Sequence, residues 1–340
     1  MRSVEIALSN SNQVLIYQLS ASTPQLIHTL SQHDQLVTCI DWAPTTNRIV
    51  SCSQDRNAYV WSLDDHTWKP TLVLLRINRA ATFVRWSPLE TKFAVGSSAG
   101  SVSICYFEED NDWWVSKHLK RPIKSTVLSV DWHPNNVLLA VGSSDMRAYV
   151  LSAFIKGVDK KPLATAWGEK LPFNTVCGEY VNPAGGWVHA VAFSPSGEQL
   201  AYAAHDACVT IVDKANHTQS TVPTRGLAFL TLVWLNEHRL LAAGFDCKPF
   251  LFEKSGGVWT CVKSIDQQQR KESQQSGSAF NMFRQMDSRA IASGAKAEDV
   301  QLQSVHQNSI TMLRPYKVVG DSVQQVSSSA MDGKLVVWAV

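Results

Sequence analysis

The residues with acid–base chemistry to offer recur at intervals along the chain. Asp55, Asp145, Asp206, Asp246 and Asp332 each follow an apolar run and open a short polar turn, and His33 and His205 lie close to two of these turns. Such groups can act as catalytic acids and bases, or they can accept the N–H groups of a tight turn. The rest of the sequence favours the second role. It has no G-x-S-x-G, no H-E-x-x-H and no Gly-Lys-Ser/Thr phosphate loop, so no nucleophile, zinc site or nucleotide cradle is spelled out. We therefore expect no enzyme, no catalytic residue, no cofactor and no metal. Deleting one turn acid should strand its donors at a cost of about 1–3 kcal/mol.

Cysteine usage and charge narrow the class further. The seven cysteines (Cys39, Cys52, Cys105, Cys177, Cys208, Cys247 and Cys261) include no C-x-x-C, and most lie inside apolar phrases. Small buried thiols in a reducing cytosol fit this better than disulfides or zinc. With 31 basic and 29 acidic residues the formal charge is +2, which marks neither a nucleic-acid binder nor a membrane binder. The first twenty residues carry no apolar leader, and no apolar run of membrane-spanning length occurs.

The elements that must position the acids are strands. One phrase recurs: Val-Thr-Cys-Ile-Asp-Trp-Ala-Pro at 37–44, Phe-Val-Arg-Trp-Ser-Pro at 83–88, Val-Leu-Ser-Val-Asp-Trp-His-Pro at 127–134 and Val-His-Ala-Val-Ala-Phe-Ser-Pro at 188–195. Alternation, an aromatic and a terminating proline describe a buried strand. Trp42, Trp86 and Trp132 repeat at 44 and then 46 residues, the period of a four-stranded WD-repeat propeller blade. His33, Asp55 and Trp61 then resemble the hydrogen-bonding set of such repeats, in which the histidine links the turn acid to the blade core. Trp338 occupies the place of Trp61 in the last repeat.

Counting repeats gives blades at 37–75, 82–119, 127–155, 187–222, 229–263 and 309–338. A further N-terminal blade is read from strands Val4–Leu8, Val14–Leu19 and Leu26–Leu30. The fold class expected is all-β, a seven-bladed propeller in one domain over 1–340. Its N-terminal blade is expected to be incomplete, with three strands read.

Two insertions interrupt the repeats. Residues 156–186 read as a polar surface excursion. Residues 264–305 read as a flexible arm, Gln/Ser/Lys-rich at first and then carrying a short amphipathic helix over about 279–290, capped by Ser278. Phe280, Phe283 and Met286, followed by Asp287, would form its partner-facing side. Three turns of helix are marginal alone, so the helix should order on entering a groove. A basic run at Lys117, Lys120, Arg121 and Lys124, helped by Arg56 and Arg79 if the loops share a face, would receive acidic segments.

Longer strings are more specific than the repeats. Asp55-Arg-Asn-Ala-Tyr-Val-Trp61, Trp68-Lys-Pro-Thr-Leu-Val-Leu-Leu-Arg-Ile-Asn-Arg-Ala-Ala81, Ile104-Cys-Tyr-Phe-Glu-Glu-Asp-Asn-Asp-Trp-Trp-Val-Ser-Lys117 and Ser125-Thr-Val-Leu-Ser-Val-Asp-Trp-His-Pro134 are similar to the WD-repeat subunit family of the actin-related protein 2/3 complex. The resemblance implies a non-catalytic cytoplasmic subunit of a seven-protein assembly that nucleates branched actin filaments at the cell cortex and in actin patches. It implies partners among the other subunits, the actin filament and the acidic tails of nucleation-promoting factors. It also implies that Phe283 and Met286 are anchors of a protruding helix. The alternative is a free-standing WD-repeat adaptor that binds a peptide, as a ligase or chromatin receptor would.

Overall fold

In the computed structural model, residues 4–19, 23–182, 184–266 and 304–340 are described. The period-two phrases form antiparallel strands gathered into seven sheets. The first sheet holds β1 (Val4–Asn10), β2 (Gln13–Leu19) and β3 (Gln25–Ser31). The second holds β4 (Val37–Ala43), β5 (Arg48–Ser53), β6 (Ala58–Asp64) and β7 (Thr67–Val73). The third holds β8 (Ala81–Trp86), β9 (Lys92–Ser97), β10 (Ser101–Glu108) and β11 (Trp113–Leu119). The fourth holds β12 (Val127–Trp132), β13 (Leu138–Ser143), β14 (Arg147–Ser152) and β15 (Val176–Val181). The fifth holds β16 (Val188–Phe193), β17 (Gln199–Ala204), β18 (Cys208–Asp213) and β19 (Thr218–Pro223). The sixth holds β20 (Phe229–Asn236), β21 (Arg239–Gly244), β22 (Phe250–Ser255) and β23 (Val258–Ser264). The last holds β24 (Ile310–Val319), β25 (Ser322–Ala330) and β26 (Leu335–Ala339).

Within every sheet, neighbours in space are neighbours in sequence. The first strand of each complete sheet packs on the first strand of the next, from β4 through β8, β12, β16 and β20 to β24, and β1 packs on β4. This is the seven-bladed β-propeller expected from the repeat. Second strands are the most buried. Every residue of β9, β13 and β17 is buried, whereas β1 is only half-buried or exposed. Among the described residues the first sheet has three strands and none lies on the free edge of β1, which accounts for its exposure. The last sheet also has three strands.

Apolar cores lie between adjacent sheets. Val50 and Val60 of the second sheet pack with Val84, Trp86 and Val95 of the third, and Val102 and Ile104 of the third pack with Val130, Leu139 and Leu151 of the fourth. No sheet could bury its faces alone, so stacking supplies the stability. Polar locks reinforce the stacking at the turns between first and second strands. Glu90 accepts the N–H groups of Thr45 and Thr46 at 2.9 and 2.6 Å, Asn136 accepts that of Leu89 at 3.0 Å, and Glu237 accepts that of Ser196 at 2.5 Å. Burial would raise the Glu90 carboxyl, but these bonds hold it below its ordinary value.

One expectation needs correcting. The stretch 156–186 is not only a polar excursion. It contains β15, which completes the fourth sheet, and it buries Trp167 and Leu171 in the core beside Val191 and Phe193. The alternation of β15 is weak because its residues are half-buried or exposed, so neither face announces itself in sequence. The expected arm helix at about 279–290, with Phe280, Phe283, Met286 and Asp287, lies outside the described residues. No helix among the described residues is long and apolar enough to cross a membrane.

Candidate binding face

Antiparallel connection puts two kinds of turn on each end of the ring. On the upper face lie the links from one sheet to the next and the turns between second and third strands. The lower face carries the other turns. The turn acids all belong to the upper face, because each sits between a second and a third strand.

His33 precedes β4 and bonds through Nδ1 to Asp55 Oδ2 and through Nε2 to Ser51 Oγ, both at 2.8 Å; Trp61 Nε1 donates to the same Ser51 oxygen at 2.9 Å. Burial lowers the His33 pKa while Asp55 opposes the shift. Asp55 also accepts the N–H groups of Asp34 and Asn57. The His33 and Asp55 side chains are 1% and 6% exposed, and the set ties the turn to the blade core. The last sheet repeats it: His306 faces Asp332 at 3.3 Å and Ser328 at 2.7 Å, and Trp338 Nε1 donates to Ser328 at 2.7 Å. Sequence reasoning named Asp332 and Trp338 but passed over His306, although His, Asp and Trp follow one another in the same order as in the first set.

The remaining acids lack a histidine. Asp145 accepts from Lys124 N and Tyr149 Oη, Asp206 from Cys208 N, and Asp246 from Leu227 N. His205 is therefore not a buried partner of a turn acid, contrary to expectation. It is exposed and bonded to His189 at 2.8 Å. Burial and the neighbouring His205 push His189 down to about 4. The exposed rings of Trp187 and Phe245 flank this pair. In the connection before β16, the missing Cβ of Gly186 would meet His205 at 3.3 Å.

The basic candidates divide. Arg56 lies in the turn between β5 and β6, Arg79 in the link before β8, and Lys120, Arg121 and Lys124 in the link before β12, all exposed on the upper face. Lys117 does not join them. It sits on β11 with Nζ 5.7 Å from the Tyr106 ring centre, on the side of the third sheet. Sequence reading missed Arg76, which is exposed in the same link as Arg79. That link is held against the third sheet because the Leu75 carbonyl accepts from Ser103 and His118 and the Leu74 carbonyl from Ser116.

Between the two links opens a cavity of about 570 Å³, walled by Arg76, Asn78, His118, Lys120 and Ile123 and by the turn at Gly100. Gly100 has φ +67°, and a Cβ there would press on the Ser125 carbonyl at 3.2 Å, so the turn needs glycine. None of Arg56, Arg76, Arg79, Lys120, Arg121 or Lys124 forms an ion pair among the described residues. The arrangement can draw and hold carboxylates; it offers no nucleophile paired with a base.

Comparison with known proteins agrees with the geometry. The family described as "WD domain, G-beta repeat" matches residues 24–62 and 115–151. Among solved structures, a chain of a mitotic checkpoint complex crystal structure superposes with a TM-score of 0.69, covering 99% of this chain and 84% of that one. At 13% identity it shares the fold alone. Actin-related protein 2/3 complex subunit 1 of Schizosaccharomyces pombe is 48% identical over 98% of this chain and 93% of its own length. Subunit 1A-B of Xenopus laevis is 48% identical over 98% and 90%, and subunit 1 of Saccharomyces cerevisiae is 41% identical over 98% and 91%. With a propeller, its repeat sets and near-full-length similarity in hand, the chain belongs to the family of actin-related protein 2/3 complex subunit 1.

Proposed function

We propose that this chain is a non-catalytic scaffold of the actin-related protein 2/3 complex in the cytoplasmic actin cytoskeleton. In this role its upper face receives the acidic tails of nucleation-promoting factors. The observation that carries this reading is the group of unpaired cations around the cavity between the links at 74–80 and 120–126. Acidic segments are flexible and gain from a concave, positively charged surface through steering and charge-assisted hydrogen bonds. The arm, with Phe283 and Met286, supplies the contact to the actin filament, and the remaining surfaces hold the other subunits.

The test uses the assembled complex and a fluorescent Asp/Glu-rich peptide. Replacing Lys120, Arg121 and Lys124 with alanine should weaken peptide binding at least tenfold at low salt, and raising salt should weaken the parent in the same way. Binding indifferent to both would refute the acidic-tail role. Purification of the chain without actin-related subunits would instead favour the free-standing adaptor.

A further inference from the structure

The segment leaving β14 crosses the lower face as a strap fastened at two points. At the first, Asp159 accepts from Lys92 Nζ, from Ile155 N at 2.7 Å and from Asn136 Nδ2 at 2.9 Å. Lys92 also donates to the Ala153 carbonyl at 2.8 Å and lies 5.1 Å from the Trp132 ring centre, and the Lys92 and Asp159 side chains are 0% and 1% exposed. At the second, buried Trp167 donates through Nε1 to the Gly197 carbonyl at 2.7 Å. Between the two points Leu163 stands 87% exposed.

The first fastening also fixes a second leucine. Asn136, which holds Asp159 through its amide nitrogen, accepts the Leu89 N–H through its amide oxygen, and Leu89 is 67% exposed. A loose loop could fold either leucine inward; these are held out by buried polar bonds. Along the strap between its two fastenings the free charge has one sign, and the acids Glu169 and Glu198 come only beyond the second. Lys156, Lys160 and Lys161 are exposed, and the one acid between 156 and 168, Asp159, is spent on Lys92.

We propose that Leu89 and Leu163, framed by Lys156, Lys160 and Lys161, form a docking face for a neighbouring protein of the assembly, which meets them with an apolar groove edged by carboxylates. The proposal rests on the reading of the chain as a complex subunit. Rigid presentation spares the partner the cost of ordering the strap, and charge complementarity sets its orientation. An anionic membrane is the poorer fit, because two leucines on a fixed strap cannot bury as an amphipathic helix does.

The experiment couples lysines directly to carboxylates with a zero-length carbodiimide reagent in the complex reconstituted with the full chain. Lys160 or Lys161 should link to Asp or Glu of a neighbouring subunit, and both should acetylate at least fivefold more slowly than in the free chain. The Leu89→Asp, Leu163→Asp double variant should lose the links and regain the free-chain labelling rate, with an unchanged melting temperature when free. Lysines equally reactive in complex and free chain, links that survive the double variant, or protection conferred only by phosphatidylserine vesicles would each overturn the proposal. Should the double variant melt lower, Lys160→Glu with Lys161→Glu replaces it, with the same loss of links required. Actin-related subunits present alongside freely reactive lysines would remove this proposal alone. Their absence would remove the functional reading as well.

Discussion

Arg314 Nη2 lies 3.0 Å from Asp41 Oδ1, and the same guanidinium reaches the Ile40 carbonyl at 3.4 Å. Arg314 belongs to β24 and Asp41 to β4, so the contact joins the first strand of the last sheet to that of the second. Among the described residues β1, which packs on β4, has a free edge. The network continues: Asp41 also faces Arg85 at 3.7 Å, Arg85 faces Asp131 at 3.7 Å, and the two acids accept the N–H groups of Trp86 and Phe193 at 2.7 and 2.8 Å.

Burial raises both acids of this network, Asp41 and Asp131, from 3.8 to about 6, and Arg85 only partly offsets the shift. The folded protein therefore takes up these protons before the unfolded chain does. Stability contributed by the two sites should rise as pH falls from about 7 toward 4, and the penalty of the buried charge should be fully present only above about pH 7. Asp41→Asn removes one such site, so chemical denaturation across this range should show wild type gaining on the variant as pH falls, by at most ~3 kcal/mol. Parallel pH profiles would contradict this.

The two complete histidine sets should matter about equally. His33→Ala strands Asp55 and Ser51, and His306→Ala strands Asp332 and Ser328. Each should cost about 1–3 kcal/mol in urea denaturation. His205→Ala, on the exposed pair, should stay within about 0.5 kcal/mol.

The Lys92–Asp159 pair should behave as a buried charge couple. Lys92→Met leaves a buried carboxylate behind and should cost about 3–5 kcal/mol. Adding Asp159→Asn removes the orphaned charge and should return a large part of that loss. A double-mutant cycle reads the coupling directly; additive losses would show that the pair acts as two separate contacts.

Phe283→Ala with Met286→Ala should leave melting temperature and complex assembly near the parent values while branch nucleation falls at least tenfold, since two anchors at about 2 kcal/mol each are lost. Pyrene-actin assembly with branch counting measures this. Normal branching in the variant would reassign the arm to ordinary packing.

The blades were legible because a buried strand next to a channel writes its periodicity into every residue, as in Val127–Trp132 and Val188–Phe193. Turn acids were legible for the same reason, each standing at a fixed place after such a run. β15 was not, because an outer strand half open to water places no constraint on alternation. The basic cavity was legible in part. Charge marks the residues, but only the fold shows that Lys117 points to the side and that Arg76 joins the wall. The Arg314–Asp41 contact had no sequence signal, since nothing local distinguishes an arginine on an inner strand from one in solvent.

That each sheet is built from consecutive strands bears on how quickly the molecule forms. Hairpins close short loops, so the sheets can assemble early from contacts that cost little chain entropy. The Arg314 contact to Ile40 spans 274 positions and must wait until the intervening sheets have stacked. Contacts that form after the rate-limiting step slow escape from the native state without hastening entry to it. Arg314→Ala should thus accelerate unfolding and leave the refolding rate almost untouched, which makes the last contact in the ring a determinant of how long the protein lasts once made.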